Sequence, residues 1–105
     1  MRGLGWVVPL AVAVAGLGCG TRPVSHTVVM SGIAYAPLVV QAAAGDTVVF
    51  RNDDPVPHTV TADHGAFDSG DVLPGRSWRW VARQKGRQGY HCTYHPNMTG
   101  TVVFH

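Results

Sequence analysis

Apolar and polar residues alternate in short runs along most of this chain, and Gly, Pro, Asp and Asn separate the runs. A period of two belongs to half-buried strands, and no stretch of helix length carries the 3.6-residue period. Residues 26–30 predict a first strand, followed by Ser31-Gly32 and the apolar Ile33-Ala34-Tyr35. Pro37 opens the next, Leu38-Val39-Val40. Ala42-Ala43-Ala44 favours helix, but Gly45-Asp46 cuts it off as a turn into the strand Thr47-Val48-Val49-Phe50. Asn52-Asp53-Asp54-Pro55 ends that strand in loop chemistry. Residues 58–62 read as strand, and residues 63–75 as an irregular loop anchored by Phe67. Residues 76–81 set Trp78 and Trp80 on one face and Arg79 on the other. Gln84-Lys85-Gly86 turns the chain, residues 89–92 return, and residues 101–104 close the body. Seven or eight strands without helices predict an all-β sandwich or small barrel.

The first segment breaks this pattern. Arg2 is followed by an uncharged run, residues 3–18, rich in Val, Ala and Leu. The run is short for a bilayer span but fits the charged start and apolar middle of an export signal. Two processings fit it. Ala13-Val14-Ala15 is a small-x-small cleavage site, which releases a soluble protein. Leu17-Gly18-Cys19-Gly20 resembles the bacterial lipoprotein signal, in which Cys19 takes lipid and becomes the new N-terminus; Gly16 stands where that signal usually has leucine. A retained membrane helix is disfavoured by Pro9 and the glycines of the run. The expected organisation is a leader over residues 1–18, a tether over 19–25 and a domain over 26–105. Its destination is the periplasm or the outer face of the membrane, with lipid on Cys19 as the membrane contact.

Charge narrows the partners. Of 105 residues, eight are Lys or Arg and six are Asp or Glu, so the body is near neutral. No basic stripe recommends nucleic acid. Arg76, Arg79, Arg83, Lys85 and Arg87 follow the acidic Asp53, Asp54, Asp63, Asp68 and Asp71, a segregation that reads as solvated surface.

Cysteine use points to chemistry. An exported body meets an oxidising compartment, yet it holds one cysteine, Cys92. Pairing with Cys19 is the plain alternative; occupation by a metal is the other. Cys92, His95 and Met98 follow the spacing Cys-x2-His-x2-Met, which offers a thiolate, an imidazole and a thioether within seven residues. Soft and borderline donors of this kind suit copper, and a trigonal site needs one more imidazole. His58, between Pro57 and Thr59, is the candidate. Zinc competes poorly, because structural zinc recruits more thiolates and a thioether is a weak ligand for it. If Tyr90 and Cys92 point inward, His91 between them points out and is not a ligand. His26, His64 and His105 lack a partner spacing, and Met30 reads as core. No Ser-His-Asp, paired-carboxylate or phosphate-loop pattern suggests an enzyme.

Several motifs occur in order: Gly45-Asp46-Thr47-Val48, Phe50-x-Asn52, Pro57-His58-Thr59-Val60, Phe67-x-Ser69, Gly89-Tyr90-His91-Cys92-Thr93 and His95-Pro96-x-Met98-x-Gly100-x-Val102. Together they resemble the cupredoxins, the blue copper proteins, and most of all their amicyanin and plastocyanin-like group. The resemblance spans residues 28–104. It implies a Greek-key β-sandwich and one copper ion held by His58, Cys92, His95 and Met98. It further implies that Asn52 braces the site by tying the His58 segment to Thr93. Tyr94 departs from the group, where proline is common at this place.

The resemblance implies a monomeric one-electron carrier outside the cytoplasm, cycling Cu(II) and Cu(I) between transient partner proteins. They would dock near His95, among Tyr94, Pro96, Pro55 and Pro57. The turn at residues 83–87 begins the strand that ends at Cys92, about 15–20 Å away at ~3.3 Å per residue, and is not expected to dock redox partners. The alternative is a copper chaperone or storage protein without redox cycling.

Overall fold

The computed structural model describes residues 22–105, none of which is helical. The proposed leader and Cys19 lie outside the described residues. Eight strands form: β1 (Ser25–Met30), β2 (Tyr35–Ala36), β3 (Val39–Ala42), β4 (Thr47–Asn52), β5 (Thr61–Ala62), β6 (Ser77–Val81), β7 (Gly86–His91) and β8 (Thr99–Phe104). They make two four-stranded sheets, ordered β2-β1-β4-β6 and β3-β8-β7-β5. The pairs β1–β4 and β3–β8 are parallel, and the others are antiparallel.

Alternation along the strands supplies the core. In β4, Val48, Phe50 and Asn52 are buried while Arg51 between them is exposed. Val28 and Met30 do the same on β1, and Val102 and Phe104 on β8. The two inner faces meet over an aromatic centre. Tyr90 stands edge-on to Tyr35 at 4.8 Å and to Phe50 at 5.2 Å between ring centres, a favoured aromatic geometry. Phe67 anchors its loop, as expected: it is buried and lies 4.2 Å from Trp80 and 5.5 Å from Trp78. Trp78 and Trp80 are half-buried and Arg79 is exposed, which agrees with the alternation.

Two segments differ from expectation, and both adjoin the site. Residues 58–62 read as one strand, yet only Thr61–Ala62 joins the ladder, with an isolated bridge from His58 to Val72. The reason lies in where the amides go. Thr59 N–H points to Cys92 Sγ at 3.3 Å, and Val60 N–H donates to Ser69 Oγ at 2.7 Å. Side chains satisfy these donors, so no neighbouring strand is needed. Cys92 itself falls just outside β7, because its N–H donates to Met98 O at 3.1 Å and closes the following loop.

The strands place two poles. β7 runs from Gly86 to His91 and delivers residues 92–98 to one end, where the 31–34, 53–60 and 68–75 loops also gather. At the other end lie the turn at residues 43–46, the turn at 82–86 and His105, joined by Gly45 N–H to Ala82 O and Ala44 N–H to His105 O.

Candidate metal centre

Two loops build the site. The first leaves β4 and returns through His58, and the second joins β7 to β8. Their adjacency is set by the β5–β7 register, which pairs Thr61 with His91. Three residues back from Thr61 is His58, and one residue on from His91 is Cys92.

The second loop is drawn tight by its own backbone. Met98 N–H donates to His95 O at 2.8 Å, a β-turn with Pro96 at its second position, where a fixed φ suits the turn. With the Cys92–Met98 bond this encloses the loop at both ends. Cys92 and Met98 are buried, and His95 is half-exposed.

Three donor atoms converge. Cys92 Sγ lies 3.7 Å from His58 Nδ1 and 3.8 Å from His95 Nδ1, and the three atoms fall within 4.8 Å of one another. An ion held at about 2.0 Å by nitrogen and 2.3 Å by sulfur, with trigonal angles, separates such donors by roughly 3.7 Å. The spacing therefore fits one metal ion. A single thiolate with two imidazoles and a nearby thioether is a copper donor set rather than a zinc one.

Both loops carry partners that fix the donors. His58 is fully buried, and its Nε2–H donates to Asp54 Oδ2 at 2.7 Å, which leaves Nδ1 free to face Cys92. Asp54 is held in turn by Gly32 N–H at 2.7 Å and Ile33 N–H at 2.9 Å. Burial pushes the Asp54 carboxyl upward, but the bonds from Ile33, His58 and Gly32 outweigh it and hold the group below the usual carboxylate range. The clamp explains why Ile33, a β-branched residue, holds a φ of 56° next to Gly32 at 64°. Both amides must turn toward one carboxylate.

Asn52 makes its contacts around the His58 loop, and none of them reaches Thr93. Its side-chain amide donates to Val56 O and Val72 O, each at 2.8 Å, and its Oδ1 accepts from Asp54 N–H at 2.9 Å. The tie to Thr93 is made by Thr59 instead: Thr93 N–H donates to Thr59 Oγ1 at 2.9 Å, and the two hydroxyls are 3.3 Å apart. Thr59 sits beside the ligand candidate, so its short side chain spans a gap that Asn52, occupied within its own loop, does not cross.

Sequence reasoning missed Asp54 and Thr59. Asp54 precedes His58 by four residues, but an Asp-Asp-Pro string reads first as turn chemistry. His91 is outside the site, as expected, with Nδ1 2.7 Å from Asp63 Oδ1. His26 pairs with Asp46, and His64 and His105 are exposed. Tyr94 is 54% exposed and donates its hydroxyl to Asp71. Exposed apolar side chains from four loops share this end of the molecule: Ile33, Val56, Leu73 and Tyr94.

No protein-family model matches the chain. It is 31% identical to the plastocyanin of Vicia faba, over 69% of this chain and 88% of that one. It is 27% identical to the chloroplastic plastocyanin of Fritillaria agrestis, over 90% of this chain and 68% of its relative. Among solved structures, a purple cupredoxin from Nitrosopumilus maritimus superposes with a TM-score of 0.70 at 26% identity, covering 76% of this chain and 99% of that one. A reduced amicyanin variant gives a TM-score of 0.73 at 26% identity, over 77% and 82% of the two chains. Sequence likeness, the two-sheet fold and a preformed Cys-His-His donor set agree: the chain belongs to the cupredoxins, the single-copper electron carriers, in their plastocyanin- and amicyanin-like group.

Proposed function

We propose that the protein works outside the cytoplasmic membrane as a monomeric one-electron carrier. Cys92 Sγ and the Nδ1 atoms of His58 and His95 are the principal copper donors, and Met98 supplies a weaker thioether. The observation that carries this reading is the prior convergence of the three donors, each held by contacts of the protein itself. Copper, when bound, supplies the Cu(II)/Cu(I) couple. The chain supplies rigidity: Asp54 fixes the His58 ring, Thr59 N–H fixes the Cys92 sulfur, and the Met98–His95 turn fixes the loop. Donors that do not move between oxidation states keep reorganisation small.

His95 offers the way out for the electron. It is the half-exposed donor, and exposed Tyr94 and Pro96 flank it, with Val56 and Leu73 from neighbouring loops. A small apolar rim of this kind suits a weak, transient redox complex. The apolar run of residues 3–18 and Leu17-Gly18-Cys19-Gly20 support export, with lipid on Cys19 as the anchor.

Optical and electrochemical measurement of the copper-loaded protein tests this. The expected result is an intense visible thiolate-to-copper band and a reversible one-electron couple. Cys92→Ser should abolish the band, and Met98→Leu should keep copper while shifting the potential. A colourless protein that hands Cu(I) on readily would replace the carrier reading with copper handling.

A further inference from the structure

We propose that the pole opposite the copper site is a docking surface for the anionic headgroups of a phospholipid bilayer. Arg83 and Lys85, in the turn between β6 and β7, and Arg87, at the start of β7, are all exposed. Arg22 lies at the same end, in a cleft with Ala43, Ala44 and Asp46. Among the described residues none of these four cations enters an ion pair.

The pole holds one aspartate side chain, and it is already engaged. Asp46 is buried and accepts from His26 Nε2 at 2.8 Å, Val24 N–H at 3.0 Å and Ala43 N–H at 2.9 Å. Of the other five, Asp53, Asp54, Asp68 and Asp71 lie on loops toward the copper end, and Asp63 sits beside Gly89 midway along β7, where it meets His91. Arg51 and Arg76 also stand at the copper end, so the far pole carries the cationic excess of a near-neutral body.

Two further observations select a membrane as the occupant. The first described residues, Arg22 to Val24, join the body here, Val24 O accepting Thr47 N–H at 3.0 Å. The described chain therefore enters the domain at its basic end. Beside the cations an open cleft of about 320 Å³ is floored by half-buried Trp80 and the buried Phe104 and rimmed by Arg83, Lys85 and Arg87. An indole beneath a ring of cations is the side-chain combination that sits at headgroup level. With this pole on the bilayer, the six residues of β7 stand between membrane and copper, and His95 faces away from the lipid toward soluble partners.

The inference adds to the proposed function an orientation; it does not require lipid on Cys19. Copper-loaded full-length protein is mixed with vesicles of phosphatidylcholine alone or with 30% phosphatidylglycerol, and sedimented. Two variants of equal net charge are compared: Arg83→Glu/Arg87→Glu at the pole and Arg76→Glu/Arg79→Glu elsewhere. The expected result is a gain in binding on anionic vesicles that fades with salt and falls about 30-fold or more in the pole variant alone. Binding to phosphatidylcholine alone, unchanged by salt, measures anchoring by lipid or leader and is subtracted before the phosphatidylglycerol-dependent share is compared. Equal loss in both variants, or no dependence on phosphatidylglycerol, overturns the proposal. So does retention on an immobilised acidic protein with no vesicle binding, which would assign the pole to a protein partner. Vesicle-bound protein should also keep its rate of oxidation by an uncharged soluble benzoquinone; a collapse of that rate would place the copper end against the lipid and overturn the orientation.

Discussion

The imidazole of His58 donates from Nε2 to Asp54 Oδ2 at 2.7 Å, with the histidine fully buried and the carboxylate held by two backbone amides. A buried anion behind one ring strengthens that ring as a donor and favours the more highly charged ion at Nδ1. Asp54→Asn should therefore keep the colour and raise the reduction potential. Partners of this kind change metal affinity about 10–100-fold. If Cu(II) alone is affected, the rise is roughly 60–120 mV, at 59 mV per tenfold for one electron. Voltammetry measures it; a potential that stays or falls would show that Asp54 only holds the loop.

Thr59 joins the two loops through its hydroxyl, which accepts Thr93 N–H. Thr59→Ala removes that bond and leaves the Thr59 amide on Cys92 Sγ. A loss of about 1–2 kcal/mol is expected from one part-buried amide deprived of its acceptor. For a domain of this size that lowers the thermal midpoint by roughly 4–16 °C. The visible band should keep its position, because no donor is removed.

Tyr90 carries a fully buried hydroxyl that finds no partner among the described residues. Burial pushes the phenol well above its ordinary range. Tyr90→Phe removes an uncompensated polar atom while keeping the ring packing, so stability should rise by about 1 kcal/mol. Gly100 pairs with Tyr90 across β7 and β8, and a Cβ there would lie 2.6 Å from the Tyr90 ring. Gly100→Ala should thus destabilise by about 1–3 kcal/mol. Denaturant titration of the two variants should give shifts of opposite sign.

Asp46 contributes to the acid limb. A hydrogen bond from His26, then those from Val24 and Ala43, hold its carboxyl down at about 2. Because the folded value lies below the unfolded one, its contribution is fully present above about pH 4 and is lost as pH falls through 4 toward 2. Asp46→Asn should flatten stability over that window, measured as the midpoint of thermal unfolding at pH 5 and pH 2.5. An unchanged slope would place acid sensitivity elsewhere.

Much of this protein was legible along the chain. Alternation at Val48, Phe50 and Asn52, or at Trp78 and Trp80, is fixed by the period of a strand, so strands and core faces followed directly. Candidate donors could be picked out too, since Cys92, His95 and Met98 lie within one loop and His91 is turned out by the same alternation. The ends of strands were less legible. At His58–Thr59–Val60 the residues favour a strand, but their amides are taken by Cys92 Sγ and Ser69 Oγ, atoms distant in sequence.

What the tertiary structure decided is who holds whom. Asp54 behind His58, Thr59 rather than Asn52 across to Thr93, and Tyr94 tied to Asp71 are pairings between loops. No local periodicity encodes them, because they depend on which loops the two sheets bring to one end. The cationic excess at the far pole has the same origin. Residues 83–87 and the tether at Arg22 are far apart in sequence, and β-strand register alone places them together, one strand length from the copper site. The chain's own chemistry chose copper; the fold chose the neighbours that tune it.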